Sequence, residues 1–260
     1  MKVLCIGDVV SRIGRDMLFQ YVEDIKYSKN IDFVIVNGEN AAHGNGLTRK
    51  TYDELVRSGC DVITLGNHTW GAKDIFDLLN TEVNIIRPAN FNKLCPGEGS
   101  VIITAKNGLK VGVINLIGRT YMDPVDSPFD KAIEEIEKIK KVTNIIFVDF
   151  HAEATSEKQA LGFYLDGKVS AIFGTHTHIQ TADDTILPLG SGYITDLGMT
   201  GPQISVLGTD KDIIINRFLT GLPQKFQLAE GKGQFCGCIF EIDETTGLCN
   251  STERLFIKEK

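Results

Sequence analysis

The sequence predicts an α/β protein, and three observations carry that expectation. Short apolar runs rich in Val and Ile recur along the 260 residues, as strands buried on both faces require. Stretches with apolar residues at helical spacing separate these runs in the first half, and this alternation builds a parallel sheet with helices on its faces. An Asn-Gly turn between two further apolar runs then breaks the rhythm, so two sheets, or one mixed sheet, are expected.

Residues 2–6 form the first expected strand. Met17, Leu18, Tyr21, Val22 and Ile25 recur at helical spacing within 11–28. A strand at 32–36 follows, then a helix over 49–58 whose first amides Thr48 can cap. A strand at 61–65, a helix near 72–80 and a short strand at 83–86 complete the alternating half. The runs 100–104 and 110–115 flank Lys106-Asn107-Gly108, a hairpin signal. A helix over 128–141 takes Ser127 as N-cap, Pro128 at its first position, and Phe129, Ile133, Ile136 and Ile139 as its buried stripe. A strand at 143–149, a helix near 155–164 and a strand at 169–173 come next. Gly190, Gly192, Gly198 and Gly201 punctuate a loop-rich stretch before a helix around 210–220 and an antiparallel pair near 234–257. No repeat, linker or low-complexity segment divides the chain, so 1–260 reads as a single domain.

With 42% hydrophobic and 23% charged residues the chain can bury a large core. A net charge of −7 argues against an extended nucleic acid or an anionic membrane as partner. No apolar run approaches the ~18 residues of a membrane-spanning helix, and the N-terminus enters a strand at once, without the pattern of a signal peptide. Cys5 lies within a strand, Cys60 and Cys95 stand in unrelated contexts, and Cys236 and Cys238 share one face of a strand with no second pair near them. The six cysteines therefore read as reduced thiols, and a cytoplasmic location is expected.

The chemistry is concentrated just after the apolar runs. Asp8 follows the first, Glu39-Asn40 the second, Asn67-His68 the third, His151 a fourth, and His176-Thr177-His178 a fifth. Polar residues so placed converge at the carboxyl edge of a sheet, where open α/β folds bind ligands. Each cluster alone also reads as turn chemistry: Gly-Asp is a common turn, Asn67 could cap a helix, and single histidines are more often structural. Five ligand-type clusters at one sheet edge point instead to a metal site. Two divalent ions would bring four positive charges against two negative ones from Asp8 and Glu39, leaving a surplus for an anionic phosphate.

The order Gly-Asp, Glu-Asn, Gly-Asn-His, His and Gly-Thr-His-Thr-His resembles the calcineurin-like metallophosphoesterases. The stretches VNGENAA, LGNHTW, RPANF, FVDFHAEATSEK, GTHTHIQTADDTILPLGSGYITDLGMTGP and RFLTGLP are similar to the YmdB-like branch of bacterial phosphodiesterases, from Gly7 to Pro223. The resemblance implies a four-layer αββα sandwich of mixed sheets around a dinuclear centre, acting on cyclic nucleotides, the 2′,3′-cyclic ones above all. It implies that Asp8, Glu39, Asn40 and His178 hold one ion and Glu39, Asn67, His151 and His176 the second, with a bridging hydroxide as nucleophile. His68 resembles the family's general acid. Val10 stands where most of the superfamily has a histidine, and Glu39-Asn40 where it has a bridging Asp; the YmdB-like branch is expected to share both. Imidazole, carboxylate and amide donors suit Fe, Mn or Zn, and the resemblance favours iron.

A small phosphodiester is thus the expected substrate, and a homo-oligomer is compatible with the sequence. Two other functions stay open: a phosphomonoesterase or nucleotidase using the same site, and a signalling scaffold with residual activity. Softer readings attach to several other residues. Arg15 reads as a phosphate contact or a solvated helix face, Thr155 as an N-cap with Lys158 outside, Tyr193 and Phe150 as core rather than base-stacking residues, and His43 as a loop bystander.

Overall fold

The computed structural model describes residues 1–260. The first half contains β1 (Lys2–Ile6), β2 (Asp8–Val9), α1 (Ser11–Lys29), β3 (Phe33–Asn37), α2 (Arg49–Arg57), β4 (Val62–Thr64), α3 (Ile75–Thr81), β5 (Ile85–Ile86), β6 (Ser100–Thr104) and β7 (Lys110–Ile117). The second contains α4 (Pro128–Ile139), β8 (Ile146–His151), α5 (Thr155–Leu165), β9 (Ala171–Thr175), β10 (Thr185–Ile186), β11 (Gly192–Ile194), β12 (Met199–Pro202), α6 (Lys211–Thr220), β13 (Gly233–Ile242) and β14 (Cys249–Lys258).

Two mixed sheets result. One runs β2-β12-β13-β1-β3-β4-β5 with β14 also on β13, and the other β10-β11-β9-β8-β7-β6. Strands β1, β3, β4 and β5 are parallel neighbours, as are β7, β8, β9 and β11, while β13, β6 and β10 run antiparallel to theirs. Alternation along β1 explains the layering. Val3 and Cys5 point between the sheets onto Val113, Phe147 and Phe173. Leu4 and Ile6 point outward onto Leu18, Val22 and Leu55 of α1 and α2. On the far side Ile114, Leu116 and Val148 meet Ala132, Ile136 and Ile139 of α4 and Leu161 and Leu165 of α5. The expected four-layer αββα sandwich follows, each buried aliphatic side chain contributing about 1.5–3 kcal/mol.

Local signals act as expected at several points. Thr48 accepts from the Thr51 amide, Ser127 accepts from the Asp130 amide ahead of Pro128, and Gly108 turns the β6–β7 hairpin at φ 86°. Several expectations need correction. A short 3₁₀ turn over Thr69–Gly71 precedes α3, so the helix expected near 72–80 begins later. Strand β8 is shifted onward and ends on His151 itself. Of the expected α4 stripe only Ile136 and Ile139 are buried, joined by Ala132; Phe129 and Ile133 are half-exposed. The glycine-rich stretch contains β11 and β12, short strands fixed by pairing rather than composition. Helix α6 buries none of its residues, and no helix is long and apolar enough to cross a membrane.

Candidate metal centre

The polar clusters leave the carboxyl ends of parallel strands, but of two sheets rather than one. Asp8, Glu39-Asn40 and Asn67-His68 follow β1, β3 and β4; His151 ends β8, and His176 and His178 follow β9. Glycines make the approach of these segments feasible. A Cβ on Gly66 would lie 2.4 Å from the His151 ring and 2.5 Å from Glu39 Oε2. His176 and His178 adopt φ of 100° and 64°, a region that side chains occupy at a cost of about 1–3 kcal/mol each. The intervening Thr177 pins the turn, donating from its amide and hydroxyl to Asp196 Oδ2 at 3.1 and 2.7 Å.

Three side chains converge on His151 Nε2. Asn67 Oδ1 lies 2.8 Å away, His176 Nδ1 3.0 Å and Glu39 Oε1 3.3 Å. Donors that each sit about 2.0–2.2 Å from one ion are separated from one another by roughly this much. Glu39, His151 and His176 can offer three atoms mutually within 4.8 Å. Asp8 and His178 adjoin this group, with His178 Nε2 3.8 Å from Asp8 Oδ1. Asp8 Oδ2 accepts from the His176 amide at 3.1 Å, whereas Oδ1 is the one buried side-chain polar atom with no hydrogen-bond partner. A buried carboxylate oxygen without a donor is costly, and a cation relieves that cost. The residues present therefore fit a metal centre.

Surrounding residues fix each ring. His151 Nδ1 lies 3.0 Å from Thr175 Oγ1, which donates to Asp149 Oδ1 at 2.7 Å. Asn37 and Thr64 donate to the other oxygen of Asp149. His178 Nδ1 lies 3.1 Å from the Leu207 carbonyl, and His176 Nε2 3.0 Å from Glu153 Oε2. Each imidazole is thus turned so that its second nitrogen faces the cluster, as outer partners of metal-bound histidines do. Sequence reasoning missed Asp149, Glu153 and Asp196. Asp149 was findable: it stands two residues before His151 on one strand, and so on the same face.

Charge follows the packing. Burial alone would raise the Glu39 carboxyl, but the facing His151 and His68 rings outweigh it and hold Glu39 well below the ordinary range. Burial opposes the charged form of His151, yet Glu39 and Asp8 lift it to about 9. Burial and the neighbouring His151 push His176 down to about 3. Burial raises Asp8.

All eight residues singled out for the site surround this cluster. Asn40 lies with its Nδ2 toward Glu39 Oε1 and His178 Nε2, at 3.0 and 3.4 Å, and its Oδ1 2.7 Å from His68 Nδ1. To serve as a metal ligand, its amide must turn over. His68 donates its backbone N–H to Glu39 Oε2 at 2.8 Å and stands half-exposed at the mouth beside Glu153, His176 and Leu207. His43 is exposed in a separate turn, as expected. Arg15 meets neither expectation: its guanidinium binds Glu54 and the Ala41 carbonyl, tying α1 to α2 and the turn after Glu39. Lys158 is buried rather than outside, and Ala154, not Thr155, occupies the N-cap of α5. Tyr193 and Phe150 are core residues, as expected.

A family model described as YmdB-like protein matches residues 4–255. The chain is 53% identical over 259 residues to the 2′,3′-cyclic-nucleotide 2′-phosphodiesterase of Bacillus subtilis, covering 100% of this chain and 98% of that protein. A crystal structure of a hypothetical protein from Thermus thermophilus matches with a TM-score of 0.93 at 40% identity, covering 100% of both chains. A novel phosphatase from Mycoplasma pneumoniae matches with a TM-score of 0.93 at 37% identity, over 99% of this chain and 93% of that one.

Proposed function

The chain belongs to the YmdB-like protein family, and we propose that it is a metal-dependent phosphodiesterase hydrolysing 2′,3′-cyclic nucleotides. The observation that carries this reading is the convergence of Asn67, His176 and Glu39 on His151 Nε2, beside the unpartnered Asp8 Oδ1. Glu39, Asn67, His151 and His176 would hold one ion, and Asp8, Glu39, His178 and a turned Asn40 the other. Bound there, divalent ions supply Lewis acidity toward the phosphate oxygens and a water made nucleophilic at neutral pH. Iron is the proposed metal, with manganese or zinc suited to the same donors.

The chain's own residues do the rest. Neutral Asn40 and Asn67 add no negative charge to repel the phosphate. Thr175 and Leu207 keep the His151 and His178 rings from rotating. With Asn40 so turned, its Nδ2 would replace Oδ1 beside His68 Nδ1 and donate to it, which leaves Nε2 to hold the proton that the departing ribose oxygen takes up. The test is elemental analysis of protein purified without added metal, joined to hydrolysis of 2′,3′-cyclic AMP before and after chelation. About two ions per chain and activity that is lost on chelation and restored by metal are expected. An undiminished rate in metal-stripped protein would refute the proposal.

A further inference from the structure

Next to the metal centre lies a second cavity, of about 480 Å³, walled by Trp70, Phe91, Ile117, Asp123, Val125 and Asp126. That volume falls within the range of small-molecule sites, roughly 300–1,000 Å³. Asn67 joins the two places, since it lines this cavity while its Oδ1 meets His151 Nε2 at 2.8 Å. A group in the cavity and a phosphate at the cluster would therefore belong to one molecule.

The walls are held by buried polar residues. Asn90, fully buried, donates to the Ile117 and Asp126 carbonyls at 2.8 and 3.0 Å, and its own backbone carbonyl accepts from the Asp126 amide at 3.1 Å. The Arg87 guanidinium binds the carbonyls of Pro88, Cys95 and Pro96, fixing the opposite loop. Trp70 packs on Phe91 and Phe76 with ring centroids 5.7 and 5.6 Å apart. The lining is aromatic on one side and carries two carboxylates on the other, with no basic residue. Asp123 and Asp126 stand exposed at the cavity rim, where their carboxylates are open to a ligand's donors. Such a lining rejects phosphate and favours a flat, neutral group that donates N–H bonds.

We propose that this cavity is the nucleobase subsite, packing the base against Trp70 and Phe91 and selecting bases whose amino and imino N–H groups bond to Asp123 or Asp126. Guanine fits best, because its N1–H and N2 amine lie side by side and match the two oxygens of a carboxylate. Uracil has a single such donor, flanked by carbonyls that the carboxylates repel. The inference rests on the cyclic-nucleotide reading of the metal centre.

Trp70 is the only tryptophan of the 260 residues, so fluorescence excited selectively at tryptophan, beyond tyrosine absorption, reports on this cavity wall. The holoprotein is titrated with guanosine, uridine and methyl ribofuranoside, which carry no phosphate, with free tryptophan as the inner-filter control. Saturable quenching by guanosine is expected, at least about tenfold tighter than by uridine, and no quenching by the baseless sugar. An Asp123→Asn/Asp126→Asn double variant should bind guanosine about tenfold more weakly. No quenching by guanosine, equal quenching by the baseless sugar, or unaltered binding in the double variant would overturn the subsite. Hydrolysis of 2′,3′-cyclic GMP by the same preparation is measured alongside. Turnover without quenching would refute the subsite and leave the phosphodiesterase reading standing, whereas quenching without turnover would do the reverse.

Discussion

Lys158 Nζ donates to Asp196 Oδ2 at 2.6 Å, and both side chains are at most 2% exposed. The same carboxylate oxygen accepts from Thr177, and Oδ1 accepts from the Gly198 amide at 2.8 Å. One buried ion pair therefore ties the start of α5 to the turn that holds His176 and His178 in left-handed backbone.

Removing one member of such a pair is expected to cost more than the pair's own attraction, because the other charge stays buried and unpaired. Lys158→Met should destabilise the chain by about 3–5 kcal/mol, read by denaturant unfolding. A loss under about 1 kcal/mol would show that water or a shifted side chain satisfies Asp196.

Glu39→Gln should deplete both ions, since Glu39 is the carboxylate proposed to serve both ligand sets and lies 3.3 Å from His151 Nε2. His178→Ala should deplete mainly the ion on the Asp8 side. Metal content per chain, measured after dialysis, separates these outcomes. Equal depletion by both variants would contradict the split ligand sets.

Metal affinity should rise with pH. In the metal-free chain His151 titrates at about 9 and Glu39 well below its ordinary value, so at neutral pH His151 carries a proton and Glu39 does not. An ion binds the neutral imidazole and displaces that proton, giving up to about tenfold tighter binding per pH unit until the pH passes the His151 value. Chelator competition between about pH 6.5 and 8.5 measures the slope, and a flat profile would contradict the assignment of His151 as a ligand.

Thr175→Val keeps volume and removes the hydroxyl between His151 and Asp149. The expected result is a metal affinity about 10–100-fold weaker, measured in the same competition. Unaltered affinity would mean that packing alone orients the His151 ring.

Much of this was legible along the chain, for identifiable reasons. Val3-Leu4-Cys5-Ile6 and Ile145-Ile146-Phe147-Val148 announce strands because burial on both faces demands continuous apolar runs, and Asn107-Gly108 announces its turn through backbone geometry. The cluster residues stood out because they follow such runs directly. What was not legible depends on pairing across the chain. Lys158 in the first turn of a helix looks solvated until Asp196, 38 residues later, is brought beneath it. Two-residue strands such as β2 and β10 exist only through their neighbours. Division of the clusters between two sheets could not be read from an order in sequence, and Glu153 resembles any exposed acid until His176 turns toward it.

His68→Ala tests the central claim most directly, because metal binding and proton donation then separate. The variant should keep its metals and lose about 10²–10⁴ in rate on 2′,3′-cyclic AMP, whose ribose oxygen needs a proton to depart. On bis(p-nitrophenyl) phosphate, whose leaving group departs as a stable anion, the loss should be far smaller. Equal losses on both substrates, or loss of the metals themselves, would contradict the role of His68 as the acid beside a metal centre.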